Sequence, residues 1–235
     1  NGHCVTAGYL AYLAGSTVGD ELSERYGLPV SVENDGKCAA LAEYWRGSLK
    51  GCDNGAVVVL GSGVAGGIIL NGKIYRGRHF TAGEYSYVCT DVENPEEMSS
   101  YWGLSSGAEG LAKTVAKYTG EDWQSYNGVK IFERANAGDK LVLEGLKEFT
   151  HQLAVQIYNL NIYLDLDLIA IGGGISQQPL LHEYLQKSLD EYLQKIPLRE
   201  ITPYVPEPKL THCKFYNDAN LIGALYHFIN SKGEQ

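Results

Sequence analysis

An α/β fold is predicted by three features of the 235-residue sequence: strand-like and helix-like periodicities alternate along it, an Asn-Gly dipeptide separates two apolar runs, and a buried-type run ends in three glycines. The segment VSV at 30–32 alternates apolar and polar side chains as a strand does, whereas Cys38, Leu41, Ala42 and Trp45 recur at helical spacing. Glu33, Asn34 and Asp35 therefore fall where a strand is predicted to end and a helix to begin. Next come an apolar strand at 56–60, a glycine turn, a second strand at 67–70, and then Asn71-Gly72, the strongest short hairpin signal. From Lys140 to about Tyr163 the residues Leu143, Leu146, Phe149, Leu153, Ile157 and Leu160 keep helical spacing, which predicts a central helix long enough to cross a domain. LDLIAIGGGIS at 166–176 reads as a buried strand running into glycines, followed by the leucine-paired helix LLHEYLQKSLDEYLQKI. A proline-rich piece (Pro203, Pro206, Pro208) leads to a last strand near Cys213 to Tyr216, and a helix with Asp218 as a candidate cap closes the chain.

Composition narrows the function. Apolar residues make up 44% of the chain, enough for a proper core. The net charge of −9, with no Lys/Arg run, argues against nucleic acid or an anionic membrane as the main partner and for small molecules or other proteins. No apolar run reaches the roughly 18 residues of a membrane span, and NGHCVTAG lacks the basic start of a signal peptide. Five scattered cysteines, with no CxxC and none paired with a His at zinc-ligand spacing, fit reduced thiols and a cytoplasmic location; Cys38 reads as a small core residue.

Gly61-Ser62-Gly63-Val64-Ala65-Gly66 matches GxGxxG, yet a dinucleotide site needs a helix after the glycines, and here Asn71-Gly72 turns the chain back first. These glycines therefore join two strands. Such a hairpin presents backbone N–H groups, with the Ser62 hydroxyl beside them, to phosphate oxygens; it serves equally as a plain tight turn, and both readings stay open. Gly172, Gly173 and Gly174 carry the same ambiguity, but strand, glycines, helix is the order in which a backbone approaches a nucleotide at the carboxyl edge of a sheet. Asp35 suits an ordinary helix N-cap. Beside Asn34, it also offers a polyol an orienting amide and a carboxylate to accept a hydroxyl proton as the oxygen attacks phosphorus. Glu84 in AGEYSYV is a further candidate hydroxyl acceptor or simply a solvated surface side chain.

VENDGKCAALAE (32–43), VVVLGSGVAGGIILNGKIYRG (57–77), AGEYSYV (82–88) and IAIGGGIS (169–176), in this order and spacing, resemble the ROK (repressor, open reading frame, kinase) family of sugar kinases over nearly the whole chain. The resemblance implies a two-lobed actin/hexokinase-like (ribonuclease H-like) fold, with residues 1–54 and 219–235 in a small lobe and 55–218 in a large one. It further implies ATP and Mg²⁺ in the cleft, phosphoryl transfer to a sugar hydroxyl, and a homodimer. By motif, Asp35 is the catalytic base, Asn34 and Glu84 are sugar ligands, Gly61 to Gly63 form one phosphate loop and Gly172 to Gly174 the adenosine-side loop.

Three departures qualify the resemblance. Where many members carry AGEIGH and a Cys-rich zinc motif, this chain has Ser86-Tyr87 and no Cys between Thr90 and Gly107, so structural zinc is not expected. Tyr87 in place of the His is similar to the zinc-less branch of bacterial β-glucoside kinases, which points to glucose-type sugars or β-glucosides; Tyr87 is either a ring-stacking sugar platform or core. The family's opening hairpin with DIGGT and its STPG segment have no counterpart here, which implies an incomplete small lobe and weak phosphoryl transfer by this polypeptide. Two rivals remain at this point. A sugar-responsive ROK transcriptional regulator would need a basic helix-turn-helix, which these residues lack, and a non-catalytic sugar-binding protein would have no need of a base.

Overall fold

Asn71 and Gly72 adopt φ values of 52° and 71°, the left-handed pair that a two-residue type I′ turn demands. That turn organises one sheet in the computed structural model, which describes residues 2–5, 10–202 and 204–231. Strand β1 (Gly55–Leu60) pairs antiparallel with β2 (Val64–Leu70), which pairs antiparallel with β3 (Lys73–Tyr75). On its other side β1 runs parallel to β4 (Leu168–Gly172), and β4 parallel to β5 (Leu210–His212), giving the order β3-β2-β1-β4-β5.

Nine helices surround the sheet among the described residues: α1 (Val18–Tyr26), α2 (Asp35–Arg46), α3 (Trp102–Ser105), α4 (Ala108–Thr119), α5 (Gly128–Asn136), α6 (Lys140–Leu164), α7 (Pro179–Lys195), α8 (Leu198–Ile201) and α9 (Ala219–Ser231). The predicted central helix is α6, whose 25 residues span about 37 Å. Asp139 caps it, accepting from the N–H groups of Leu141 and Val142, and Leu146, Phe149, Leu153 and Ile157 are fully buried. With α4 and α7 it covers one face of the sheet through Val58, Leu60, Ile169 and Ile171.

Helices α2 and α9 cover the other face, where Ala39, Ala40, Ala42, Val57, Ile69, Ala170 and Cys213 form a second core. Small residues bring them close. A Cβ on Gly223 of α9 would strike the backbone of Cys38, and Tyr226 stacks at 5.3 Å from Trp45. Cys38 is 4% exposed, the core residue expected.

Two expectations are corrected. No strand forms at 30–32; Val30 and Val32 are exposed at 38% and 40%, because no strand lies beside them among the described residues to take up their backbone groups. The last strand is Leu210–His212, shifted upstream of Cys213 to Tyr216; Tyr216–Asp218 is a 3₁₀ turn leading directly into α9. Pro203 of the predicted proline-rich link lies outside the described residues, as do residues 1, 6–9 and 232–235 of the predicted small lobe.

Candidate functional site

Because β1 and β4 are adjacent and parallel, with Val59 opposite Gly172, their carboxyl ends leave the sheet at one edge. Gly61 to Gly63 follows the first strand and Gly172 to Gly174 completes the second, so topology alone brings the two glycine turns together. Between them and α4 and α5 lies a cleft of about 320 Å³ lined by Leu60, Gly61, Ala108, Gly128, Phe132 and Gly174, with Asn127 and Gln178 as polar contributors.

Close packing shapes that edge. Gly173 has φ 95°, and a Cβ there would sit 2.5 Å from the carbonyl carbon of Leu60, so only glycine lets β4 turn so tightly against β1. Its carbonyl accepts from the Ser176 hydroxyl at 2.8 Å, and Nε2 of His182 donates to the Ser176 carbonyl at 2.7 Å. His182 stacks on His212 at 3.6 Å; burial, reinforced by His212, holds its pKa below the usual histidine value. Gly174 differs: it has helical φ/ψ of −61° and −44°, and nothing lies within 4 Å of where its Cβ would be. It faces open space in the cleft. The Gly61–Gly63 turn is closed by Gly61 N–H to Gly63 O at 2.9 Å, and the exposed Ser62 hydroxyl has no partner among the described residues.

Asp35 reaches the same edge from the other face. Helix α2 starts over Gly66, where a Cβ on Gly36 would lie 2.6 Å from the Gly66 nitrogen, and it ends near β1's beginning, where Leu49 touches Gly55. Gly66 stands opposite Val58, two residues before β1 ends, so α2's first turn lies about 7 Å along the strand from the glycine turn. The N-terminus of α2, with its positive dipole end, is therefore directed at the carboxyl edge.

Asn34, not Asp35, is the cap: its Oδ1 accepts from Lys37 N–H at 3.0 Å. Asp35 is the first helical residue, and one carboxylate oxygen accepts from Gly36 N–H at 2.8 Å. Both side chains are exposed at the sheet edge, and α2 buries itself only from Gly36 onward. Tyr87 is 69% exposed, which leaves the platform reading and removes the core one. Glu84 is not a free surface carboxylate, since Oε1 accepts from Nζ of Lys37 at 3.0 Å.

Residues that the motifs did not single out hold this edge together. Glu33, with a side chain 7% exposed, pairs with Arg76 through Nε at 2.8 Å and a terminal nitrogen at 2.6 Å, and His227 of α9 lies 3.5 Å from Arg76. Buried Glu43 of α2 accepts from the N–H groups of Lys214, Phe215 and Ser48 and from the Ser48 hydroxyl, fastening the helix to the chain after β5. Burial, with the negative charges of Glu33 and Asp35, pushes the Cys38 thiol up to about 12, so it is no nucleophile at neutral pH. Among the described residues no group of three His, Cys, Asp or Glu is placed to hold a metal ion, and no helix is long and apolar enough to cross a membrane.

Known proteins share this architecture. The chain is 33% identical over 213 residues to the β-glucoside kinase of Klebsiella pneumoniae, covering 88% of this chain and 66% of that protein's length. A ROK family protein from Streptococcus pneumoniae, solved in complex with sucrose, superposes with a TM-score of 0.82 at 30% identity, covering 96% of this chain and 74% of that one. A ROK family glucokinase from Streptomyces griseus, solved with glucose and AMPPNP, gives 0.77 at 25% identity, covering 90% and 72%. The mixed sheet with helices on both faces is thus the actin/hexokinase-like arrangement. With the ROK family model matching residues 11–230, the chain belongs to the ROK family.

Proposed function

We propose that this chain carries the acceptor and nucleotide sites of an ATP-dependent sugar kinase acting on a glucose-type hexose or a β-glucoside. The observation that supports it best is the meeting at one sheet edge of a cleft lined by Gly61 and Gly174 and a helix N-terminus bearing Asn34 and Asp35. Gly61 to Gly63, with the Ser62 hydroxyl, would receive phosphate oxygens, and Gly172 to Gly174 the adenosine side, where the open space beside Gly174 fits a ligand. Bound ATP supplies the transferable phosphoryl group, with Mg²⁺ neutralising its charge; this ion commonly takes one or two carboxylates plus phosphates and needs no protein cage.

On the acceptor side Asn34 keeps its amide N–H groups for a sugar hydroxyl, since only its oxygen is used in capping. Asp35 accepts the hydroxyl proton as the oxygen attacks phosphorus, Glu84 receives a second hydroxyl through Oε2, and Tyr87 stacks on the ring. The same reading assigns residues 1–54 and 219–235 to one lobe and 55–218 to the other; α2 and α9, from the first, pack on the sheet of the second. Homodimer formation and a cytoplasmic location belong to the same reading, and light scattering checks the first.

The similarity to a β-glucoside kinase and to a glucokinase solved with glucose supports the substrate class. The test is ATP-dependent phosphorylation of glucose and cellobiose by wild type and Asp35→Asn. Turnover is expected to fall by orders of magnitude in the variant with sugar affinity little changed. Undiminished turnover removes Asp35 as the base.

A further inference from the structure

Lys37 is 1% exposed, two residues into α2 from Asp35, and among the described residues the one hydrogen bond of its ammonium group goes to Oε1 of Glu84. An ammonium group sealed in a protein is costly, and an apolar side chain of similar volume usually gives equal or better stability than a buried ion pair. A purely structural role therefore explains Lys37 poorly. The packing around it is more informative.

Both segments that carry the acceptor-side candidates rest on the same two residues of β2. A Cβ on Gly67 would lie 3.1 Å from Cα of Lys37 and 3.2 Å from the carbonyl of Gly36. Gly83, at φ 82°, is pressed on the same spot from the other segment: a Cβ there would lie 3.1 Å from Cα of Gly67 and 3.2 Å from the carbonyl of Gly66. Bare backbone at Gly66 and Gly67 thus lets the start of α2 and the Glu84 loop converge, and the Lys37–Glu84 pair locks them together. Glu84 keeps a side-chain exposure of 30%, whereas Lys37 has none to offer a ligand.

We infer that Lys37 is a positioning residue for the acceptor: from beneath the site it ties down Oε1 of Glu84 and leaves Oε2 turned toward a sugar hydroxyl. This deepens the kinase reading and rests on it. Lys37 touches no substrate; it acts by holding a flexible carboxylate in one rotamer.

The test is calorimetric titration of the full chain with glucose, with cellobiose and, separately, with a non-hydrolysable ATP analogue. Lys37→Met is expected to weaken sugar binding about ten- to hundredfold, the range for a lost charged hydrogen bond, while nucleotide affinity stays within about twofold. In a Glu84→Gln background, adding Lys37→Met should change sugar affinity by less than about threefold, because the lysine acts only through that carboxylate. Should Lys37→Met not fold, Lys37→Gln keeps a donor, deletes the charge and is read in the same way. Wild-type sugar affinity in the Lys37 variant, or an undiminished loss in the Glu84→Gln background, overturns the inference alone. Failure of wild type to bind either sugar overturns the acceptor reading together with it.

Discussion

Gly67→Ala tests whether the face-to-face contact of α2 and β2 sets the position of Asp35. The added Cβ would lie 2.7 Å from Cβ of Ala40, 3.1 Å from Cα of Lys37 and 3.2 Å from the carbonyl of Gly36. Restoring an ordinary contact of 3.4 Å to Ala40 lifts the helix by about 0.7 Å, and both neighbours of that contact are backbone atoms that cannot rotate away. Overpacking of this kind costs about 1–3 kcal/mol, which for a chain of this size lowers Tm by about 2–12 °C. The same lift carries Asp35 and Lys37, and displacement of a reacting group by about an ångström costs about a hundredfold in turnover. Ala40→Gly in the same molecule removes the closest contact. Alone it costs about 1 kcal/mol as a glycine in a helix, but combined with Gly67→Ala it should recover at least half of the stability lost. Urea unfolding of the four proteins, with sugar titration alongside, measures this cycle. Strict additivity, or an unchanged Tm in Gly67→Ala, would refute the packing argument.

Gly174→Ala should have the opposite profile. Its helical φ/ψ and empty surroundings accept a methyl group, so folding should be stabilised by about 0.4–1 kcal/mol while nucleotide binding weakens; unchanged affinity for ATP analogues would take Gly174 out of the nucleotide site. The His182 pair makes stability depend on pH. Because burial depresses the folded-state pKa, the contribution is complete above the ordinary value of 6.5 and is lost as pH falls through the folded value. Urea midpoints between about pH 7.5 and 5 should therefore fall more steeply in wild type than in His182→Gln.

What the sequence showed plainly was local. Asn71-Gly72 fixes its turn through φ alone, the caps and periodicity of α6 are contained in consecutive residues, and both glycine turns follow apolar strands that identify themselves. The strand expected at 30–32 failed because alternation records only side-chain pattern, whereas a strand also needs a neighbour for its backbone. The Glu33–Arg76–His227 cluster joins residues 43 and 151 positions apart, for which no local pattern exists. Lys37 did leave a signal, since it shares the apolar face of α2 with Ala40 and Leu41, and a lysine on such a face asks for a buried anion. Exposure of Asp35 was not readable at all, because it depends on what covers the sheet edge rather than on the motif.

The most direct measurement is a crystal structure of this chain with glucose and a non-hydrolysable ATP analogue. The adenosine is expected between Gly61 and Gly174, the phosphates on the Gly61–Gly63 turn, and a sugar hydroxyl within about 3.2 Å of the Asp35 carboxylate. A nucleotide bound away from both glycine turns, or a sugar out of reach of Asp35, would contradict this arrangement.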